Sequence, residues 1–175
     1  NLLEIYCPHN NIVELDVTNM SKLKWLWCHH NNLTTINFPS PTVLESLVCF
    51  ENDFTILDLS DQNLLIGINV EKNKLNSLLL PNPSDATTII AGNNELTSLD
   101  LSNQSNLLSL SLDNNNMSSI DLSNCPNLLG LQVSYNNLTS LDFTNNTFFE
   151  NLECYGNNFT DLDLSSFPSL FYVRL

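Results

Sequence analysis

The chain has 175 residues, 42% hydrophobic and 14% charged, with 5 Lys and Arg against 19 Asp and Glu for a formal net charge of −14. Such a composition supports a folded core and excludes a disordered polyanion. Five scattered cations form no stripe to neutralise nucleic-acid phosphates or to dock on an anionic membrane, and no apolar run approaches the roughly 18 residues of a membrane span.

Leucine (34) and asparagine (29) together fill 63 positions, which calls for a search for repeats. Asparagine recurs every 21 residues, at Asn10, Asn31, Asn52, Asn73, Asn94, Asn115, Asn136 and Asn157. It divides the chain into eight coils, 2–22, 23–43, 44–64, 65–85, 86–106, 107–127, 128–148 and 149–169, with a partial ninth at 170–175. Numbered within a coil, positions 1, 4, 6, 11, 14 and 16 are apolar in all eight. One coil cannot bury its own apolar face, so it must stack on its neighbours. The alternation through positions 3 to 7 predicts a short strand in each coil, and successive strands about 4.8 Å apart make a rod about 40 Å long. Asparagine at position 9 stands where the strand ends and the chain turns inward, and its amide can satisfy backbone groups that the bend would orphan.

In chain order, the first three coils carry the most distinctive outward residues: Tyr6 and His9, then Trp25, Trp27, His29 and His30, then Val48, Phe50 and Glu51. Both tryptophans of the chain lie here, whereas coils four to six offer Gly67, Asn69, Glu71, Ser109, Ser111 and Asp113 at the same kinds of position. Coils two and four break the pattern of the second half with Pro39, Pro41, Pro81 and Pro83, where strand pairing should stop early because proline removes a ladder donor. Toward the carboxy end the second halves are regular, with Cys125 in a loop. The chain begins one residue before a coil, carries no basic targeting region, and stops at position 6 of another without a polar cap. It reads as one solenoid over 1–175, taken from a longer protein.

The segments LLSLSLDNNNM and LLGLQVSYNNL resemble the leucine-rich repeat pattern LxxLxLxxNxL over the whole chain. The second half of each coil, as in LTSLDLSNQSN, repeats that pattern, so the coil is similar to the 21-residue nested bacterial subclass called IRREKO. The resemblance implies a β-rich solenoid: a right-handed superhelix of eight 21-residue coils, with a parallel sheet on the concave side, short strands or extended segments on the second side, and little or no helix. The Asn, Ser, Thr, Asp and Pro content of the second halves argues against helix independently.

Of the groups that could carry chemistry, Cys7, Cys28, Cys49 and Cys154 occupy inward position 6, where other coils place Val70, Ala91, Leu112 and Val133, so they read as small core residues. Asp16, Asp58, Asp100, Asp121, Asp142 and Asp163 share outward position 15 and read as a solvated face. His9, His30 and Glu51 share position 8, but ladder spacing favours parallel over convergent side chains, so no metal and no cofactor is assigned. The motifs for phosphate cradles, nucleophile elbows and zinc proteases are missing, which points away from an enzyme.

Rigid, outward rings are what an interaction hot spot needs. Tyr6, Trp25, Trp27, His29, His30 and Phe50 are therefore the expected ligand-binding residues of a non-catalytic protein-recognition or adhesion module, with a basic protein surface as the partner for so acidic a chain. Similarity to bacterial repeat proteins implies an extracellular or cell-surface setting. Two rivals stand beside this reading: a carbohydrate-binding module that stacks sugars on Trp25 and Trp27, and a structural spacer.

Overall fold

The structure is a computed structural model and describes residues 1–165 and 167–175. The described residues carry thirteen strands of three residues each and no helix. Nine strands, β1 (Glu4–Tyr6), β3 (Trp25–Trp27), β5 (Ser46–Val48), β7 (Gly67–Asn69), β9 (Thr88–Ile90), β10 (Ser109–Ser111), β11 (Gly130–Gln132), β12 (Asn151–Glu153) and β13 (Tyr172–Arg174), lie side by side in chain order. All neighbours are parallel and in register at 21 residues: Ile5 faces Leu26, Leu26 faces Leu47, and Leu131 faces Leu152. The strands occupy positions 3 to 5 of each coil, and the position-4 residues Leu26, Leu47, Ile68, Ile89, Leu110, Leu131 and Leu152 are fully buried in one continuous core. The chain is thus a parallel β-solenoid of eight turns, as its repeat implied.

The asparagine column joins each coil to the one before it. Asn115 shows the arrangement: its Nδ2 donates to the carbonyls of Leu112 and Asp113 in its own coil and of Ala91 in the preceding one, while its Oδ1 accepts the Leu96 N–H. The same position-6 carbonyls and position-11 amide are served from Asn31 to Asn157. Asn10, in the first described coil, serves only Cys7 and Pro8. The residue ahead of each asparagine turns the chain inward with a left-handed backbone: φ is 56° at His9, 53° at His30 and Glu51, 51° at Lys72, 55° at Asn93, 52° at Asn114, 54° at Tyr135 and 70° at Gly156.

The second side is less regular than the nested repeat suggests. β2 (Glu14–Asp16) pairs with β4 (Thr35–Asn37), β6 (Ile56–Asp58) pairs with β8 (Ser77–Leu79), and the pairs do not join. The expected proline interruption is therefore displaced. Coils two and four do form second-side strands, β4 and β8, that pair backward; pairing fails toward the following coil. In coils one and three the position-16 amides of Val17 and Leu59 donate forward to Asn37 and Leu79. In coils two and four that position is Phe38 or Leu80, each followed by a proline that restricts its backbone. Coils five to eight have no second-side strand at all among the described residues. Paired strands set Asp16 against Asn37 and Asp58 against Leu79, whereas coils five to eight would set Asp100, Asp121, Asp142 and Asp163 directly opposite one another. Like charges opposed across a ladder disfavour pairing.

These aspartates are more than a solvated face. Asp16, Asp58, Asp100, Asp121, Asp142 and Asp163 each accept the N–H two residues on, from Thr18, Ser60, Ser102, Ser123, Thr144 and Ser165. The two coils without an aspartate there, at Asn37 and Leu79, carry Pro39 and Pro81 two residues on, which have no N–H to satisfy. Cys125 does lie in a loop, yet it belongs to the core: it is fully buried in an inward column at position 19 that also holds Gln62, Gln104 and Asn146. Two successive turns around that column, such as Cys125 N–H to Leu122 O and Leu128 N–H to Cys125 O, bring its side chain inside.

Candidate functional site

The expected binding residues stand on β1, β3 and the bends that follow β3 and β5, and His9 joins them from the bend after β1. Because Leu26 points inward at position 4, Trp25 and Trp27 both face outward, and register places Tyr6 beside Trp27. Past the strand, position 7 supplies His29 and Phe50, and left-handed position 8 supplies His9 and His30.

These rings form one connected array. His9 stacks on His30 with centroids 4.2 Å apart and planes 14° apart, and His29 stacks on Phe50 at 4.5 Å and 13°. Edge contacts join Tyr6 to Trp27 and to His29 at 6.1 Å, and His30 to Phe50 at 5.1 Å. Trp25 stands outside the ring contacts, with Lys24 Nζ 6.0 Å from its centroid. Tyr6 is 67% exposed, Trp27, His29, His30 and Phe50 are half-buried among the stacked and edge-on rings, and Trp25 is half-buried beside them. The face is thus flatter and more rigid than a set of protruding side chains.

All three histidines of the chain belong to this array, and its edge is charged. His30 Nδ1 lies 2.6 Å from Glu51 Oε2, and Lys72 Nζ donates to Glu51 Oε1 at 2.8 Å. The Lys72 hydrogen bond, with the nearby charge of His30, holds the Glu51 carboxyl below its ordinary value, and Glu51 in turn raises Lys72. Burial first, then the neighbouring His30 and His9 charges, depress His29 below its ordinary value against an opposing pull from Glu51. His29 Nδ1 is buried without a hydrogen-bond partner. A parallel pair joins Lys74 to Asp53 at 2.6 Å. These pairs escaped the reading of the sequence, although each joins opposite charges 21 residues apart, one coil spacing, which is a legible signal.

His9, His30 and Glu51 meet by stacking and pairing side by side. Among the described residues no group of three His, Cys, Asp or Glu is placed to hold a metal ion. The five cysteines are free thiols. Burial pushes Cys28 up to about 12 and Cys125 and Cys154 to about 11, so none is poised as a thiolate nucleophile. No helix of the described residues is long and apolar enough to cross a membrane. What the array offers is contact: planar, weakly polar surface held by a parallel sheet.

No protein-family model and no curated protein matches the chain. Solved structures do. The functional domain of InlJ from Listeria monocytogenes, described as including a cysteine ladder, superposes with a TM-score of 0.92 at 32% identity over 99% of this chain and 39% of that one. YopM from Yersinia enterocolitica gives 0.83 at 27% identity over 99% of this chain and 38% of its own. A leucine-rich repeat protein from Leptospira interrogans gives 0.82 at 19% identity over 98% of this chain and 48% of its own, a likeness of fold alone. The chain spans less than half of each. With a 21-residue coil, an unbroken asparagine column and superposition along nearly its whole length on solenoids of this kind, the chain belongs to the leucine-rich repeat proteins and is similar to their bacterial members.

Proposed function

We propose that the chain is a non-catalytic recognition module that binds a partner protein with a basic surface through Tyr6, Trp25, Trp27, His29, His30 and Phe50. The observation that carries this reading is the continuous ring array on β1, β3 and the adjoining bends, set on a rigid sheet and packed so that little rotamer freedom is lost on contact. The net charge of −14 favours a basic partner. An adhesive role at a bacterial surface or in secreted form rests on analogy with bacterial leucine-rich repeat proteins.

The test compares wild type with Trp25→Ala/Trp27→Ala and with Tyr6→Ala/Phe50→Ala, in affinity capture from protein extracts and on a glycan array. Loss of a captured basic protein by about tenfold or more in these variants, with no sugar signal, is the expected result. A glycan signal that disappears with Trp25→Ala/Trp27→Ala would replace the protein partner by a carbohydrate. Unchanged capture in both variants would reduce the face to a structural ladder.

A further inference from the structure

A second surface lies on the flank where each coil leads into its first-sheet strand, formed by position 21 of one coil and position 2 of the next. Between coils three and six it forms an open groove of about 590 Å³ lined by Leu64, Ile66, Leu108, Glu45, Asp85 and Thr87 together with two asparagines. Leu64 is 44% exposed, Ile66 48% and Leu108 40%. The solenoid does not require apolar residues there. The same positions hold Lys22, Lys24 and Glu150 in coils outside the groove, so the repeat accepts polar and charged side chains freely.

From this groove we infer a docking site for a short segment of a partner protein that presents aliphatic side chains beside a lysine or arginine. Three arguments converge on that occupant. Exposed apolar residues gathered in one groove and rimmed by polar ones mark interaction surfaces. The charged lining is acidic: Glu45, which pairs with Lys24, and Asp85, with no cation among the lining residues. A second copy of this chain would bring the same acidic rim and another −14 of charge, and an anionic lipid surface or nucleic acid would be repelled alike. Finally, the backbone along the flank is already paired: Ile66 donates to Glu45 O, Thr87 to Ile66 O and Leu108 to Thr87 O. The occupant is therefore held by side chains and not by added strand pairing. Ile66 and Leu108 sit two coils apart, about 10 Å, a span that one short segment reaches with two anchors.

The site is distinct from the ring array, so the two stand or fall separately. The experiment pans a display library of random 12-residue peptides against the chain and measures the enriched peptides by fluorescence anisotropy on four proteins: wild type, Ile66→Asp/Leu108→Asp, Asp85→Asn, and Trp25→Ala/Trp27→Ala. An acidic side chain at position 2 is already native at Glu45 and Glu150, so the groove variants retain the fold, and an unchanged circular dichroism spectrum verifies it. Expected are peptides that pair Leu, Ile or Phe with Lys or Arg, weakened about tenfold or more by Ile66→Asp/Leu108→Asp. Asp85→Asn weakens them about two- to threefold, with a matching loss of salt dependence, and Trp25→Ala/Trp27→Ala leaves them unchanged. The inference is overturned if no such peptides are enriched or if they bind the groove variant as tightly as wild type. Concentration-dependent dimerisation in sedimentation that Ile66→Asp/Leu108→Asp abolishes would overturn it in favour of a second copy.

Discussion

At the scale of single residues, the asparagine at position 9 bonds each coil to the one before it, and how much that stabilises depends on what precedes it in the stack. Asn115 is buried and its amide makes four hydrogen bonds to three backbone carbonyls and one backbone N–H, two of them into the preceding coil. Asn10 is exposed and serves two carbonyls of its own coil. Asn115→Ala should cost the roughly 1 to 3 kcal/mol of an orphaned buried polar group, because it strands the Leu96 N–H away from water, while the Ala91 carbonyl keeps its bond from Asn94 Nδ2. Asn10→Ala leaves groups that water can reach and should cost less than about 1 kcal/mol. Urea denaturation of both variants measures the difference, and equal losses would contradict the role given to coil-to-coil bonding. The left-handed bend one residue earlier is filled by His, Glu, Lys, Asn, Tyr and Gly, so each coil is free to choose a side chain there at some cost in backbone strain. In coils one to three that freedom serves the ring array.

At the scale of elements, the second side couples charge, capping and pairing. Each position-15 aspartate that caps the N–H two residues on has its carboxyl held below its ordinary value by that hydrogen bond, as at Asp58 with Ser60 and Asp121 with Ser123. A carboxyl whose folded pKa is depressed contributes stability that is present above its unfolded pKa, about 3.9, and is lost as pH falls through the folded value. Acid should therefore loosen the second side below about pH 4. The proline coils provide the control: the carboxylate introduced by Leu79→Asp has no N–H to accept, since Pro81 follows two residues on. Carbon-detected NMR titration should find Asp58 of the wild type titrating below the ordinary aspartate range and the carboxylate introduced by Leu79→Asp, which also faces Asp58 across the ladder, not below it; equal depression of both would refute the capping account. The register of the first side was legible in sequence, because strict period-21 placement of Leu-type residues and asparagine leaves one register open, although its strands cover positions 3 to 5 and not the expected 3 to 7. The second side was legible only in part. Its strands hinge on whether a proline follows position 16 and whether aspartates oppose one another, interactions between coils that a pattern within one coil does not display. Likewise the ring positions were readable from outward placement, but their flattening into mutual stacks was not, nor was the flank at Leu64, Ile66 and Leu108, whose positions switch between polar and apolar residues from coil to coil.

At the scale of the whole molecule, every strand of the first sheet touches only its neighbours in chain order, so stability is close to a sum over coils and the contacts between them. Leu110 lies in the middle of this stack, fully buried between Ile89 and Leu131 in register, whereas Ile5 is half-buried and paired on one side only, with Leu26. Leu110→Ala should cost about 2 to 5 kcal/mol, the range for a leucine truncated in a packed core, and Ile5→Ala less because part of its side chain already meets water. Both tryptophans sit in coil two, so their fluorescence reports the amino-terminal coils while far-ultraviolet circular dichroism reports the whole stack. If the coil-to-coil contacts are strong enough for one cooperative transition, the two probes coincide in wild type and Leu110→Ala moves both curves together, although the lesion lies four coils from the tryptophans. A dichroism curve that shifts while the fluorescence curve stays in place would mean that the stack unfolds in independent blocks. The ring array would then remain folded when the centre of the solenoid has melted.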